Sequence, residues 1–317
     1  MNISLSISVV IPTYNRKHII DRALNSVLSQ TLLPQEIIVV DDGSTDGTGE
    51  WIESNYINVT LIKLPQNRGA SYARNMGILA STGDYIAFLD SDDIWEPNYL
   101  ELLSFSLKTL DSHVLAVCDV KVVLEDSSQI YIHKSCPNQK CYRDQIHNLL
   151  QENYITTMSS VMVRRDAIAA AGLLNPRYKV VHDRDWYIRL AKVGSFTSVS
   201  EILVNRFISQ QSLVGNLDSY FLDIFTFLKD FFNNITFQEY FDLKNITFAM
   251  NYEKIADLLN SKMSIKWRLT CYIKSFIYGL FAMQPNWLLL PKILIIMKGL
   301  ISLNTKKLIK YQPSNFI

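Results

Sequence analysis

Residues 83–93 read Gly-Asp-Tyr-Ile-Ala-Phe-Leu-Asp-Ser-Asp-Asp, an apolar run followed by acidic residues. Tyr85 to Leu89 is a short apolar run, which is typical of a strand that is covered on both faces. The residues that follow, Asp90-Ser91-Asp92-Asp93, include three carboxylates. The stretch therefore predicts a buried strand that delivers an acidic cluster to one edge of a sheet.

The residues before this strand repeat one rhythm of strands and helices. Strands are predicted at 6–11, 36–40 and 59–64, and helices at 16–29 and 70–80. The βαβαβαβ order predicts an α/β fold, with a mostly parallel, Rossmann-like sheet flanked by helices. Ligands of such sheets bind beyond the carboxyl ends of the strands. Asp41, Asp42 and the acids of 90–93 all fall at such ends.

Asp90 and Asp92 have the spacing at which two carboxylates can converge on one cation. Mg²⁺ and Mn²⁺ prefer oxygen ligands, and often bind through one or two carboxylates together with substrate phosphates. Such an ion would neutralise charge on a diphosphate leaving group. An isolated Asp-x-Asp is more often a solvated loop or a helix cap. Its position after a buried strand, near a second acidic loop, favours a metal site here.

Two further segments suggest contacts with a nucleotide. Asp41-Asp42-Gly43-Ser44 either caps a helix or supplies a carboxylate to a base or ribose. The segment 67–77 either caps a helix or places Arg68 or Arg74 near phosphates. Neither segment has the G-x-G-x-x-G pattern, which argues against a dehydrogenase-type dinucleotide fold.

A third acidic group lies in His182-Asp183-Arg184-Asp185-Trp186. A carboxylate there is a candidate general base if the chain folds it back over the sheet. Acids at a helix N-terminus also stabilise the helix dipole, and the two interpretations are compatible.

Together, these strings resemble the family 2 glycosyltransferases of GT-A fold. The resemblance is carried by residues 8–16, 36–48, 67–77 and 83–93. It is very specific over residues 6–100, extends more weakly to about residue 213, and does not include the remainder. It implies a metal-dependent, inverting, hexosyltransferase-like enzyme. Such an enzyme moves a sugar from a nucleotide-diphosphate sugar to an acceptor hydroxyl, in polysaccharide or glycolipid assembly.

The resemblance also implies roles for individual donor-side residues. Pro12, Tyr14 and Asp42 would line the nucleoside pocket, with Asp42 facing the base. Arg74 would lie near the donor's pyrophosphate. Asp90 would bind the donor diphosphate.

The implied metal and base residues are also acidic. Asp90 and Asp92 would form the motif that binds Mn²⁺ or Mg²⁺, with Asp92 as the direct ligand. Asp183 falls at the position of the catalytic base, which would deprotonate the acceptor hydroxyl for in-line attack on the anomeric carbon.

Between the acidic cluster and Asp183, a strand is predicted over residues 157–163 and a short helix over 165–171. Thr157 and Ser159 either reach the acceptor site or, as we expect, are ordinary sheet residues.

Two positions depart from the family pattern. His182 stands where similar sequences usually have Glu, so Asp183 must act without an acidic neighbour. Ile208 stands where similar sequences often have His, so an additional metal or phosphate contact is missing. The departures keep open a non-catalytic member that binds a sugar nucleotide or a partner. A nucleotidyltransferase would need a glycine-rich basic loop early in the chain, and residues 6–20 offer none.

Charge separates the chain into two parts. The net charge is only +1, which argues against nucleic acid as a partner. The charges are unevenly distributed, since all acidic residues precede Lys262 and nine basic residues lie from Lys262 onward. We therefore expect a domain over 1–213 and a helical region over 214–317. The basic, apolar tail with its aromatic residues either lies on an anionic membrane surface or forms a bundle with a solvated basic face.

Cysteine usage and hydropathy suggest a compartment. Cys118, Cys136, Cys141 and Cys271 fit no common zinc signature and imply no disulfide framework, so a reducing compartment is expected. The sequence has neither a signal-peptide pattern nor a clean transmembrane segment. We expect a cytoplasmic protein, peripheral on the inner face of the cell membrane, with a saccharide or lipid-linked acceptor.

Overall fold

Two units make up the computed structural model, which describes residues 6–125, 129–135, 142–208, 217–258, 265–282 and 293. The first unit comprises Met1–Leu149 and Asn153–Phe227, and the second Leu150–Glu152 and Leu228–Ile317. The predicted boundary at residue 213 falls outside the described residues. So do Cys136, Cys141, Lys262 and the basic residues beyond Lys274.

Strands and helices alternate along the first part of the chain. The strands are β1 (Ile7–Thr13), β2 (Glu36–Asp41), β3 (Val59–Lys63), β4 (Tyr85–Phe88), β5 (Ile94–Trp95), β6 (His113–Leu124), β7 (Gln129–His133), β8 (Val161–Arg164) and β9 (Ser195–Ile208). The helices are α1 (Ile20–Leu28), α2 (Thr48–Asn55), α3 (Ala70–Ala80), α4 (Tyr99–Lys108), α5 (Tyr142–Gln151), α6 (Arg165–Ala171) and α7 (His182–Val193). Three longer helices follow: α8 (Leu217–Asn233), α9 (Lys244–Leu258) and α10 (Ile265–Phe281).

One sheet contains the nine described strands, in the order β3-β2-β1-β4-β8-β6-β9-β5, with β7 paired to β6. The first four strands in this order are parallel to one another. Strand β8 is antiparallel to both β4 and β6, whereas β9 is parallel to β6. The α/β fold class is confirmed, and the parallel half is the part that the βαβ rhythm predicts.

The two faces of the parallel strands enter different cores. Val9 and Val39 belong to a large core that also contains residues of α1 and α4. Ile38 and Val40 pack on the other face, with Ala73 of α3. Burial on both faces explains why these strands read as continuous apolar runs rather than as alternating ones.

Helix α1 begins four residues later than the sequence predicts. The backbone N–H of Asn15 donates to the hydroxyl of Ser44 at 2.8 Å, and that of Arg16 donates to Thr48 at 3.0 Å. These contacts hold residues 15 and 16 against the loop after β2, so the first full turn starts at Ile20. Helices α3 and α6 lie where they are predicted.

The strand predicted over residues 157–163 is wrong in its first half. Met158–Ser160 form a 3₁₀ turn, and Thr157 caps this turn by accepting the N–H of Ser159. The β-branched and small residues fit a strand locally, but their hydroxyls are taken up by the acidic cluster. The strand therefore begins only at Val161.

The predicted C-terminal helical region is confirmed in the second unit. Helices α9 and α10 pack through aromatic side chains, with Phe248 and Tyr278 stacked at 5.2 Å between ring centroids. Buried Tyr272 donates its hydroxyl to Asp257. Among the residues that the structure describes, no helix is both long and apolar enough to cross a membrane.

Helix α3 packs closely on β1 because Gly77 has no side chain. A Cβ atom at this position would lie 2.3 Å from Cγ1 of Val10. We expect Gly77→Ala to lower the free energy of unfolding by about 1–2 kcal/mol, since overpacking costs roughly 1–3 kcal/mol and the better helix propensity of Ala returns up to about 1 kcal/mol. Urea denaturation measures the difference. The control is Leu79→Ala, at a side chain on the same helix that is 65% exposed. Equal losses in the two variants would contradict the packing argument.

Candidate functional site

A cavity of ≈ 320 Å³ opens at the carboxyl ends of the parallel strands. Its lining includes the six residues predicted for the donor and the metal: Pro12, Tyr14, Asp42, Arg74, Asp90 and Asp92. Residues far apart in the chain meet here because β1, β2 and β4 run parallel and end at one edge. Asp183 is not part of this lining.

Asp42 is held by backbone groups on three sides. Its N–H donates to the carbonyl of Thr13 at 2.8 Å. Its carboxylate accepts the N–H groups of Arg68 at 2.8 Å and Gly69 at 2.7 Å. An ionised carboxylate has about four acceptor sites, so Asp42 can accept further hydrogen bonds from a ligand in the cavity.

The neighbouring acids stabilise the loop itself, and the predicted cap at Ser44 or Asp46 is wrong, because the N-cap of α2 is Gly47 and no side chain caps it. Asp41 accepts the N–H of Ser44 at 2.9 Å, and Asp46 accepts the N–H of Thr48 at 3.0 Å. Asp42 is therefore the acid of this loop that the cavity exposes to a ligand.

An ion pair between buried Arg74 and partly buried Asp90 forms part of the cavity lining. Arg74 projects from α3 and donates to the carboxylate of Asp90, which lies two residues after β4. Burial by itself raises the pKa of Asp90, but the charge and hydrogen bond of Arg74 outweigh that effect and lower the pKa. Asp90 also accepts the hydroxyl of Thr157 at 3.3 Å, while its N–H donates to Ser159 at 3.0 Å.

The two following acids have the opposite shift. Burial and then the charge of Asp90 raise the pKa of Asp92. Burial, followed by the charges of Asp90 and Asp92, raises the pKa of Asp93 to about 8. Asp93 accepts the hydroxyl of Ser159 at 2.6 Å and lies behind the cavity rather than in it. The cluster therefore carries less negative charge at neutral pH than three ionised carboxylates would.

Asp92 is the carboxylate of this cluster that suits a cation. Its side chain is 37% exposed and lines the cavity, and the nearest guanidinium, that of Arg16, is 3.7 Å away. Asp90, in contrast, is already engaged by Arg74 and Thr157. Within the described ranges, no group of three or more His, Cys, Asp or Glu residues could hold a metal by itself. A cation here would need phosphate or water oxygens as additional ligands, which is the usual coordination of Mg²⁺.

His182 joins the candidate base segment to the ion pair. Its Nε2 lies 3.2 Å from Nη1 of Arg74. Because a guanidinium can only donate, Nε2 must accept, and the ring is neutral in this arrangement. Burial, reinforced by the charge of Arg74, lowers the pKa of His182. The residue that replaces the usual acid thus contacts Arg74 without neutralising it.

Asp183 lies in the first turn of α7, as the helix-terminus interpretation predicts. Its carboxylate accepts the side-chain amide of Asn153 at 2.9 Å and the N–H of Arg184 at 2.7 Å. His182, the residue before Asp183, contacts Arg74. Helix α7 therefore begins beside the Arg74–Asp90 pair. The role of Asp183 as a base stays a prediction.

Sequence reasoning missed several supporting residues. Thr157 and Ser159 were expected to be ordinary sheet residues, yet their hydroxyls bind Asp90 and Asp93. Arg206 on β9 donates to the carbonyl of Thr156 at 2.7 Å, and its charge lowers the pKa values of the acidic cluster. No local pattern distinguishes these residues, because each acts through a contact distant in sequence.

Comparison with known proteins identifies the family. Residues 8–171 match the model of glycosyl transferase family 2, which is about half of the chain, so the chain belongs to this family. The chain is 31% identical over 216 residues to the putative teichuronic acid biosynthesis glycosyltransferase TuaG of Bacillus subtilis, covering 66% of this chain and 80% of that protein.

A second relative agrees with this assignment, and a solved structure shares the fold. The chain is 32% identical over 188 residues to the Escherichia coli enzyme UDP-Glc:alpha-D-GlcNAc-diphosphoundecaprenol beta-1,3-glucosyltransferase WfgD, covering 58% of this chain and 68% of that protein. The crystal structure of S. aureus TarS 1-349 superposes with a TM-score of 0.60 at 17% identity, covering 86% of this chain and 81% of that chain. The likeness to TarS concerns the fold, and it confirms the GT-A prediction.

Gly43 lets the loop that carries Asp42 approach the backbone at Gln66 closely, and Gly47 in the same loop serves as a comparison. Gly43 and Gly47 have φ angles of 76° and 83°, so alanine costs about 1–2 kcal/mol of backbone strain at either position. A Cβ atom at Gly43 would lie 2.6 Å from the backbone carbon of Gln66, whereas at Gly47 the nearest atom is a lysine Nζ at 3.5 Å. We expect Gly43→Ala to destabilise the protein by about 1–3 kcal/mol more than Gly47→Ala does.

The same comparison has a local readout. The amides of Arg68 and Gly69 bind Asp42, so they should lose protection from hydrogen exchange in Gly43→Ala and keep it in Gly47→Ala. Equal stability and equal protection in both variants would mean that the close approach does not fix Asp42.

Proposed function

We propose that this family 2 glycosyltransferase transfers a sugar from a UDP-sugar to a hydroxyl of a saccharide or lipid-linked acceptor, with inversion at the anomeric carbon. The observation that carries the proposal is the convergence of Asp42, Arg74, Asp90 and Asp92 on one cavity. The name of WfgD, which gives UDP-Glc as its donor, supports the choice of UDP.

The nucleoside is proposed to bind at the β1–β2 side of the cavity. The ring of Tyr14 is exposed there and can pack against a flat base, with Pro12 completing the apolar wall. Asp42 has acceptor capacity left for an N–H of the base. The bonds of Asp42 to two backbone amides fix its orientation before the ligand arrives.

The diphosphate is proposed to bind between Arg74 and Asp92. Mn²⁺ or Mg²⁺, when bound, would neutralise charge on the diphosphate leaving group. Asp92 would be its protein ligand, because its carboxylate lines the cavity and the nearest cation is 3.7 Å away. Asp90 would act mainly by holding Arg74 in place at the floor of the cavity.

Asp183 is proposed to be the general base. It would take the proton of the acceptor hydroxyl while that oxygen bonds to the anomeric carbon, and the bond from that carbon to the diphosphate breaks. Asn153 and the first turn of α7 orient the carboxylate. Attack opposite to the leaving group inverts the configuration.

The proposed acceptor side is a membrane surface. WfgD is named for an acceptor linked to diphosphoundecaprenol, and TuaG for teichuronic acid biosynthesis. A comparable acceptor would place this chain at the cytoplasmic face of the cell membrane, bound peripherally through its basic C-terminal region.

Calorimetry with UDP tests the donor site. We expect the wild-type protein to bind UDP with Mn²⁺ and to bind it much more weakly with a chelator. Asp92→Asn should reduce affinity in Mn²⁺ by about tenfold or more, because a charge-assisted contact to the cation is lost. Asp111→Asn, at an exposed acid outside the cavity, is the control. Metal-independent binding of equal strength in wild type and Asp92→Asn would exclude the assigned metal role.

A second measurement separates catalysis from binding. Wild-type protein incubated with UDP-sugars and Mn²⁺ should release UDP slowly, and Asp183→Asn should lower that rate by about 10²–10⁴-fold while UDP affinity stays unchanged. Asp185→Asn is the matched control, since Asp185 lies on the same helix but pairs with Arg189 at 2.7 Å. A wild-type protein that binds UDP and never releases it from any UDP-sugar would favour the non-catalytic alternative.

A further inference from the structure

Helix α10 presents an apolar face to solvent. Ile273, Ile277, Leu280 and Phe281 are 39%, 44%, 47% and 71% exposed. Their spacing along the helix places all four within about one third of its circumference. Lys274 borders this face, with its ammonium 5.2 Å from the ring centroid of Tyr252. The exposed face of a helix in water normally has polar residues. An exposed apolar face therefore indicates a binding surface.

The opposite face of α10 is already used. Cys271, Tyr272 and Ser275 are buried, and Tyr278 stacks on Phe248 of α9. The helix is therefore fixed to α9 by one side, and its apolar side cannot turn inward without breaking these contacts. The exposed face is a property of the folded unit rather than of an isolated helix.

The positive charge of the region favours one binding partner for this face. Nine basic residues and no acidic ones lie from Lys262 to the C-terminus. Two copies of this chain that met through α10 would bring these like charges together, whereas an anionic lipid surface would neutralise them. We infer that the face formed by Ile273, Ile277, Leu280 and Phe281 inserts into the interfacial region of an anionic membrane, with α10 lying in the plane of the surface.

The inference deepens the proposed function by naming the surface that would bring the chain to a lipid-linked acceptor, and it rests on that function only for this purpose. Lipid binding and UDP binding are measured separately, so either can fail alone. A protein that binds UDP but no vesicles would overturn the membrane face and leave the donor site intact.

Vesicle co-sedimentation of the full chain tests the inference. Wild-type protein should bind vesicles of equal parts phosphatidylcholine and phosphatidylglycerol, bind pure phosphatidylcholine far less, and dissociate as salt is raised. The double variant Ile277→Glu/Phe281→Glu should lower the partition coefficient by about tenfold or more, because two apolar contacts with lipid are lost and two negative charges are added.

Ile235→Glu is the matched control, since Ile235 is 81% exposed in the same unit and lies outside α10. It should bind the mixed vesicles nearly as wild type does. Circular dichroism checks folding, and Ile273→Ser/Leu280→Ser tests the same face with milder changes if the charged variant unfolds. Unchanged vesicle binding by both double variants would overturn the inference. A wild-type dimer in sedimentation velocity that the double variant dissociates would also overturn it, in favour of an interface between copies.

Discussion

The ion pair between Arg74 and Asp90 is the contact on which the site depends. A buried guanidinium has a large desolvation cost, so removing its carboxylate partner would leave an uncompensated charge in the floor of the cavity. The pair also joins four parts of the first unit. Arg74 belongs to α3 and contacts His182 at the start of α7, while Asp90 follows β4 and binds Thr157. Loss of either charge would therefore disturb all of these segments.

The change of strand direction beside β4 also positions the acidic segment. Strand β8 runs antiparallel to β4, so the 3₁₀ turn before β8 lies next to the residues that follow β4. This adjacency is why Ser159 can contact both Asp90 and Asp93, and why the indole N–H of Trp95 reaches the carbonyl of Ser159 at 2.7 Å. The acidic segment is thus anchored by hydroxyl and carbonyl groups. Asp90 and Asp92 both line the cavity, and Asp92 is the one that Arg74 does not engage.

These contacts explain which parts of the molecule could be predicted from sequence. Asp42 and Asp90 were predicted to meet because parallel strands bring their carboxyl ends to one edge, and periodicity alone locates those strands. Thr157 was misassigned to a strand because its composition fits one, and only a partner 67 residues away shows its actual contact. Arg206 has no local signal either, since its effect on the acids is exerted across the sheet. Local patterns specify elements, whereas the polar network beneath the cavity is fixed by tertiary contacts.

The same network has an electrostatic consequence for the proposed donor. Asp90 offsets the charge of Arg74, and Arg206 does not line the cavity. His182 is neutral against Arg74 and adds no charge of its own. A diphosphate entering beside Asp92 would meet one negative carboxylate and, among the cavity's described cations, chiefly Arg16. Arg16 offsets Asp92, so the charge of the diphosphate itself is left uncompensated. Under the proposed function, a diphosphate that arrives with a divalent cation would therefore bind better than a free one, and metal dependence is expected for this reason.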